Sequence, residues 1–347
     1  MNKRAVLCIA SIIALTVLAS SQTGFAVEPI LLEEQGSLRD LIEKFRAGII
    51  PRDSGKYVTP TWSDLQSTQN AFSVILNWMN SGSDDLIPQA VAALAGFNYV
   101  LVRFSDISGK VFYVAREAPG YNRGWGLYVV HVRAPCVYRR LLVEVPHIGF
   151  DEFTERIGVR CLLQSYAGFF LVAGAHRYAN PDAAADVAHT EQCVFHVVHK
   201  VWCTNGSTAL QIHGFAETSA GREQYPQVIL SSGTPEGSIA VRQMSDALTM
   251  NGLTVGIFDG TKYTDLGATT NVQGQYARSA GASFIHMEIA RAVRSSDELS
   301  GKIVKAVEQF TEQSVIEVPE FRFFMPVLLT SILVSCLAPR ARRNTRS

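Results

Sequence analysis

Six of the eight histidines in this chain of 347 residues fall between positions 147 and 213: His147, His176, His189, His196, His199 and His213. Imidazole is the commonest metal ligand and a proton carrier near neutral pH. His147 and His213 share a context, since each stands at the end of an aliphatic run, 141-LLVEVPH-147 and 209-ALQIHGF-215. In open α/β sheets, sites form at the carboxyl ends of strands. Asp151 and Glu152 follow His147 by four and five residues, where the next helical pattern starts. Two imidazoles and one carboxylate make a three-ligand set for a catalytic zinc, with the fourth position left for water. Such a metal polarises a carbonyl, and a nearby carboxylate must still carry the proton. Glu288 in 284-FIHMEIARAVR-294 is the candidate for that carboxylate. Period two puts Phe284, His286, Glu288 and Ala290 on one face. A glutamate in an apolar strand is costly unless paired or functional. The alternative is an edge strand with Glu288 in water.

Further polar groups follow in chain order. In 174-GAHRYAN-180, Arg177 can clamp a substrate carboxylate and Asn180 can orient a carbonyl. Arg291 and Arg294 are weaker clamp candidates, just past Glu288. In 186-DVAHTEQCVFHVVHKVWC-203, His189, Cys193 and His196 fall at i, i+4 and i+7 of an expected helix that Asp186 could cap. His189 would then face the same crevice as a substrate or supporting group. Cys193, His196, His199 and Cys203 also invite a structural-zinc reading, although C-x2-H-x2-H-x3-C fits no standard module. Each of these residues has a bland reading too, as a packed or solvated side chain.

The elements that must position these groups change character along the chain. Residues 37–49, 62–80 and 84–97 have helical spacing of apolar residues and no clustered catalytic types. Period two begins at Asn98, with strands expected over 98–106, 110–118, 126–134 and 141–147. Strands and helices then alternate: helix 151–167, strand 168–175, helix 184–202, strand 208–215, strand 226–233, helix 237–252, strand 283–290 and helix 296–313. The polar stretch 266-LGATTNVQGQY-276 reads as a loop that could line a site. The pattern predicts an α/β fold, a mixed β-sheet flanked by helices, behind a helical N-terminal part.

The two ends carry addresses rather than chemistry. A basic start, the apolar run 5–20 and a small polar stretch ending at Ala26 have the layout of a signal peptide. At the other end, Pro319-Glu320-Phe321 precedes an apolar run over 323–338 and an arginine-rich tail. That reads as a membrane segment with its basic end in the cytoplasm. The expected division is 1–26 signal peptide, 27–97 helical region, 98–315 α/β domain and 316–347 sorting signal or anchor. The body is therefore expected outside the cytoplasm, at the cell surface or membrane-anchored. Cys136, Cys161, Cys193 and Cys203 remain in that body, where an oxidising compartment permits disulfides. Lys plus Arg equals Asp plus Glu at 31 each, so no basic footprint for nucleic acid exists. The motifs of serine hydrolases, P-loops and H-E-x-x-H metalloproteases are absent.

Taken together, PH-x3-D-x2-T after a strand, a strand ending I-HG-F and a late strand with M-E-x2-R resemble the zinc-dependent amidohydrolase and carboxypeptidase-like superfamily. The pattern is most similar to N-formylglutamate amidohydrolase and poly-γ-glutamate hydrolase, over roughly residues 140–294. The resemblance implies a phosphorylase/hydrolase-like α/β fold and one Zn2+ ion. It implies His147 and His213 as ligands, and Glu288 as general base and later acid. Asp151 is taken as third ligand because Thr154 sets the register, with Glu152 second. The substrate implied is a peptide or acyl-amino acid bearing a carboxylate, held by Arg177, Asn180, His189 and Arg291. The PEF tripeptide with its apolar run and basic tail resembles PEP/PEF-CTERM sorting signals, which implies a sortase-like processing enzyme as partner. The rival expectation is a non-catalytic envelope protein that keeps the hydrolase-like fold for binding.

Overall fold

The aliphatic runs pair into one sheet. The computed structural model describes residues 29–132, 140–165, 167–219 and 221–316. Its strands are β1 (Leu32–Gly36), β2 (Tyr99–Asp106), β3 (Val111–Glu117), β4 (Leu127–His131), β5 (Leu141–Val145), β6 (Phe169–Val172), β7 (Thr208–Phe215), β8 (Val228–Ser231), β9 (Val255–Ile257) and β10 (Ser283–Ala290). Across the sheet they run β1-β2-β3-β4-β6-β5-β7-β10-β8-β9. β6, β5, β7 and β10 are parallel neighbours, while β4 and β8 run against them on either side. The central strands are buried on both faces, so their sequences are mainly apolar, and each polar residue there needs a partner.

The helices are α1 (Leu38–Ala47), α2 (Trp62–Ser81), α3 (Leu86–Ala95), α4 (Thr154–Ser165), α5 (Val194–Trp202), α6 (Ile239–Met250), α7 (Val272–Ser279), α8 (Arg291–Arg294) and α9 (Asp297–Ile316). α3, α2, α5 and α7 pack in series on one face, and α1, α4, α9 and α6 on the other. Neighbouring residues of β6 report both layers. Phe169 stacks on Trp202 of α5 with ring centroids 4.5 Å apart. Phe170 meets α4 at Gly158, where an added Cβ would lie 2.6 Å from its ring. Local signals start the helices: Thr61 and Asp64 form a reciprocal capping box at α2, and Ser37, Ser238 and Asn271 cap α1, α6 and α7.

The architecture is the expected mixed sheet between helical layers. Three local expectations are corrected. The N-terminal stretch adds β1, which pairs with β2 at the sheet edge. The helix expected over 184–202 starts only at Val194, with Cys193 as N-cap. Residues 184–190 instead turn around the strand ends, held by Asp186, whose carboxylate binds three side chains described below. The polar stretch after Leu266 is a loop only as far as Asn271, which then caps α7. Among the described residues no helix is long and apolar enough to cross a membrane. The expected signal peptide and sorting segment, with Cys8 and Cys336, lie outside the described residues, as does Cys136.

Candidate metal centre

Parallel β5, β6, β7 and β10 end at the same edge and deliver their polar residues into one hollow of about 430 Å³. At the end of β5 the chain makes a tight turn. The amide of Asp151 donates to the carbonyl of His147 at 2.9 Å, returning the carboxylate beneath the imidazole. Gly149 holds φ +79° in this turn, a conformation that a side chain strains. Thr154 then donates its hydroxyl to the Asp151 carbonyl at 2.7 Å as α4 begins. On β7 and β10, His213 and Glu288 stand in register.

Three acceptor atoms converge. His147 Nδ1 lies 3.1 Å from His213 Nδ1, and Asp151 Oδ2 lies 3.3 Å from both. Each imidazole has its far nitrogen engaged: His147 Nε2 is 2.9 Å from Asp186 Oδ1, and His213 Nε2 is 2.8 Å from Gln211 Oε1. An oxygen at that position accepts a hydrogen bond from the ring N–H, which keeps the proton on Nε2 and leaves the Nδ1 lone pair facing the other two atoms. Arg177 also donates towards His147 Nδ1, at 3.4 Å. All three residues are buried. Lone pairs this close repel unless a cation, proton or metal, sits among them, and the group can hold a metal ion.

The charges follow. Burial raises the Asp151 carboxyl, but the two imidazoles against it outweigh burial and hold the group well below the usual carboxylate range. Burial lowers His147, and its two aspartate partners raise it above its ordinary value. His213 is pulled down to about 4, by burial first. Glu288 is pushed up to about 8 by burial and by the negative charge of Asp151. Its Oε1 is 3.7 Å from His286 Nε2, and its Oε2 has no partner among the described residues. His286 Nδ1 is equally unpartnered, and its ring packs on His213 at 4.3 Å.

Asp186 organises the opposite wall. Besides His147 it binds the Arg177 guanidinium and accepts from His189 Nδ1 at 3.2 Å. Arg177 lies between the rings of Phe150 and Tyr178, 5.2 Å from each centroid. The loop from Thr264 to Asn271 closes the far side of the hollow.

Of the residues singled out from sequence, His147, Asp151, His213, Glu288, Arg177 and His189 line this hollow. Glu152 does not; it faces outward and pairs with Arg291 at 2.7 Å. Arg291 is thereby turned away, and Arg294 is buried under backbone carbonyls of Ile289, Glu152 and Phe215. Asn180 also lies outside the hollow, its amide engaged by the backbone of Tyr57 at 3.0 and 3.1 Å. The structural-zinc reading around His196 and His199 fails for a similar reason: Cys193 caps α5 and His199 binds Glu144. Cys193 and Cys203 are free buried thiols, so no disulfide joins them. Sequence reasoning missed Asp186 as the partner of His147, Gln211 as the partner of His213, and His286. Period two had placed His286 beside Glu288, and that was the available signal.

No protein-family model matches the chain, and no curated protein matches it. Among solved structures it is similar to a bacteriophage poly-gamma-glutamate hydrolase (TM-score 0.36, 10% identity, covering 50% of this chain and 84% of that one). It is similar to N-formylglutamate amidohydrolase from Ralstonia eutropha JMP134 (TM-score 0.32, 13% identity, 52% and 95% covered). A third is a candidate metallopeptidase from Shewanella baltica OS155 (TM-score 0.37, 11% identity, 76% and 100% covered).

Proposed function

We propose that the chain is an exported, surface-attached zinc-dependent hydrolase that cleaves an amide or peptide bond in a carboxylate-bearing substrate. The carrying observation is the triangle of His147 Nδ1, His213 Nδ1 and Asp151 Oδ2 with Glu288 in the same hollow. Bonds of about 2.0–2.2 Å to nitrogen and oxygen put tetrahedral zinc ligands roughly 3.3–3.5 Å apart. The observed edges of 3.1 to 3.3 Å are close to one face of that tetrahedron. His147, Asp151 and His213 are the ligands in this reading.

A zinc ion there would supply carbonyl polarisation and a water of lowered pKa. Glu288 takes the proton of the attacking water and returns it to the leaving nitrogen, so water adds across the C–N bond to give an acid and an amine. Its elevated pKa arises from burial and a neighbouring negative charge, and a cation nearby reverses the second cause. Arg177, with one nitrogen held by Asp186, lines the hollow beside His189, and the two would meet the substrate carboxylate there. Export and attachment rest on the sequences of the two ends, with the sorting enzyme as the partner that would process the tail.

The test is hydrolysis of N-acyl-amino acids and short peptides by the purified chain, before and after zinc chelation. Turnover that chelation abolishes and added zinc restores supports the reading. A chain that binds these compounds with bound zinc yet never cleaves them is a binding protein instead.

A further inference from the structure

Beneath the hollow lies a polar row that the proposed chemistry does not use. Glu144, Gln211 and His286 stand side by side in register on β5, β7 and β10. Glu144 and Gln211 are fully buried. α5 lays His199 against this row, with Nδ1 2.6 Å from Glu144 Oε1, and α7 adds Asn271 and Gln273.

The Gln211 amide touches four groups. Its Nε2 donates to Glu144 Oε2 at 3.0 Å and to Gln273 Oε1 at 3.3 Å. Its Oε1 accepts from Asn271 Nδ2 at 2.5 Å and faces His213 Nε2 at 2.8 Å. Turned end for end, the amide would set oxygen against carboxylate and NH2 against NH2. Asn271 cannot turn to accommodate it, because its own oxygen accepts from the Gly274 amide at 2.9 Å as the cap of α7. The amide therefore has one orientation, and with oxygen towards His213 that ring must carry its proton on Nε2. The demand holds as long as Glu144, paired with His199, accepts from the Gln211 amide.

We propose that Glu144, paired with His199 and acting through Gln211, is a positioning residue that fixes the tautomer of His213 and so aims its Nδ1 lone pair at His147 and Asp151. The inference rests on the metal-site reading for its purpose, and on the amide geometry for its content. Without the carboxylate, Gln211 loses its charged acceptor and is held only by Asn271 and Gln273, so its grip on the Nε2 proton weakens and that proton moves more readily to Nδ1, where Asp151 accepts it.

The test uses the full chain, metal-free, with histidine rings labelled in nitrogen-15 and the His213 signal assigned by its loss in His213→Gln. The parent is expected to show neutral His213 protonated on Nε2. The paired change Glu144→Gln/His199→Gln keeps volume and removes both charges. It is expected to move the proton towards Nδ1 and to weaken zinc binding, read by chelator competition, by about ten- to a hundredfold. Gln211→Met is expected to do the same and serves if the paired variant fails to fold. A parent already protonated on Nδ1 overturns the proposal, as do folded variants that keep the parent tautomer and zinc affinity. A parent with the Nε2 proton that binds no zinc leaves this proposal standing and removes the metal-site reading alone.

Discussion

Two pairs of buried histidines face the same side of the sheet, and they do different work. His147 and His213 meet edge to face at the strand ends, with both Nδ1 atoms turned inward on Asp151. His196 and His199 lie stacked on α5, 6.0 Å apart, with nitrogens on Gln273 and Glu144. Burial is similar in both. What differs is which ring nitrogen the surroundings occupy. Protein acceptors take the far nitrogen of His147 and of His213 and leave a lone pair on the hollow side. In the second pair the core engages one nitrogen of each ring and offers no hollow. The electrostatics diverge accordingly: burial lowers both, but Glu144 and Cys203 together outweigh it and raise His199 to about 10, whereas His213 falls to about 4.

The sharpest break in this comparison is chemical. Glu288→Gln should lower turnover by roughly 10²–10⁴-fold, with zinc content unchanged, because only the proton carrier is lost. Next comes stability. His199→Ala leaves the buried Glu144 with the Gln211 amide but no counter-charge, and should cost about 3–5 kcal/mol in chemical denaturation. His147→Ala in the metal-free chain should cost less, since Asp186 keeps Arg177 and His189 as partners. The two acids should separate too: Asp151→Ala loses zinc, while Glu152→Ala, whose partner is exposed Arg291, keeps both zinc and turnover. A Gly149→Ala change is smaller, about 1–2 kcal/mol for a side chain forced into the left-handed region. The pH dependence has a defined sign. The folded-state value of His199 is about 10 against an ordinary 6.5, so its contribution is full below 6.5 and is lost as pH rises through 10. Alkaline unfolding should show that slope in the parent, and Glu144→Gln/His199→Gln should flatten it.

Much of the sheet was legible because its strands are apolar runs with clear punctuation, and His147, His213 and Glu288 interrupt those runs. Asp151 was legible because the turn holding it is local. Asp186 was not, since its bond to His147 spans 39 residues and a loop that helical periodicity disguised as the start of α5. Gln211 looked like an ordinary strand residue; only the packing of α7 on the row shows that its amide is held on all sides. Asn180 and Arg291 are polar residues beside the right strands whose groups are engaged by backbone and by Glu152. Their engagement depends on Tyr57 and Glu152, which no local pattern links to them.

The central claim is that His147, Asp151 and His213 hold a metal. It is tested most directly by counting zinc in the purified chain and in His213→Ala, each confirmed folded by circular dichroism. The account predicts about one zinc per parent chain and almost none in the variant. A parent without zinc, or a variant that retains it, would contradict the account.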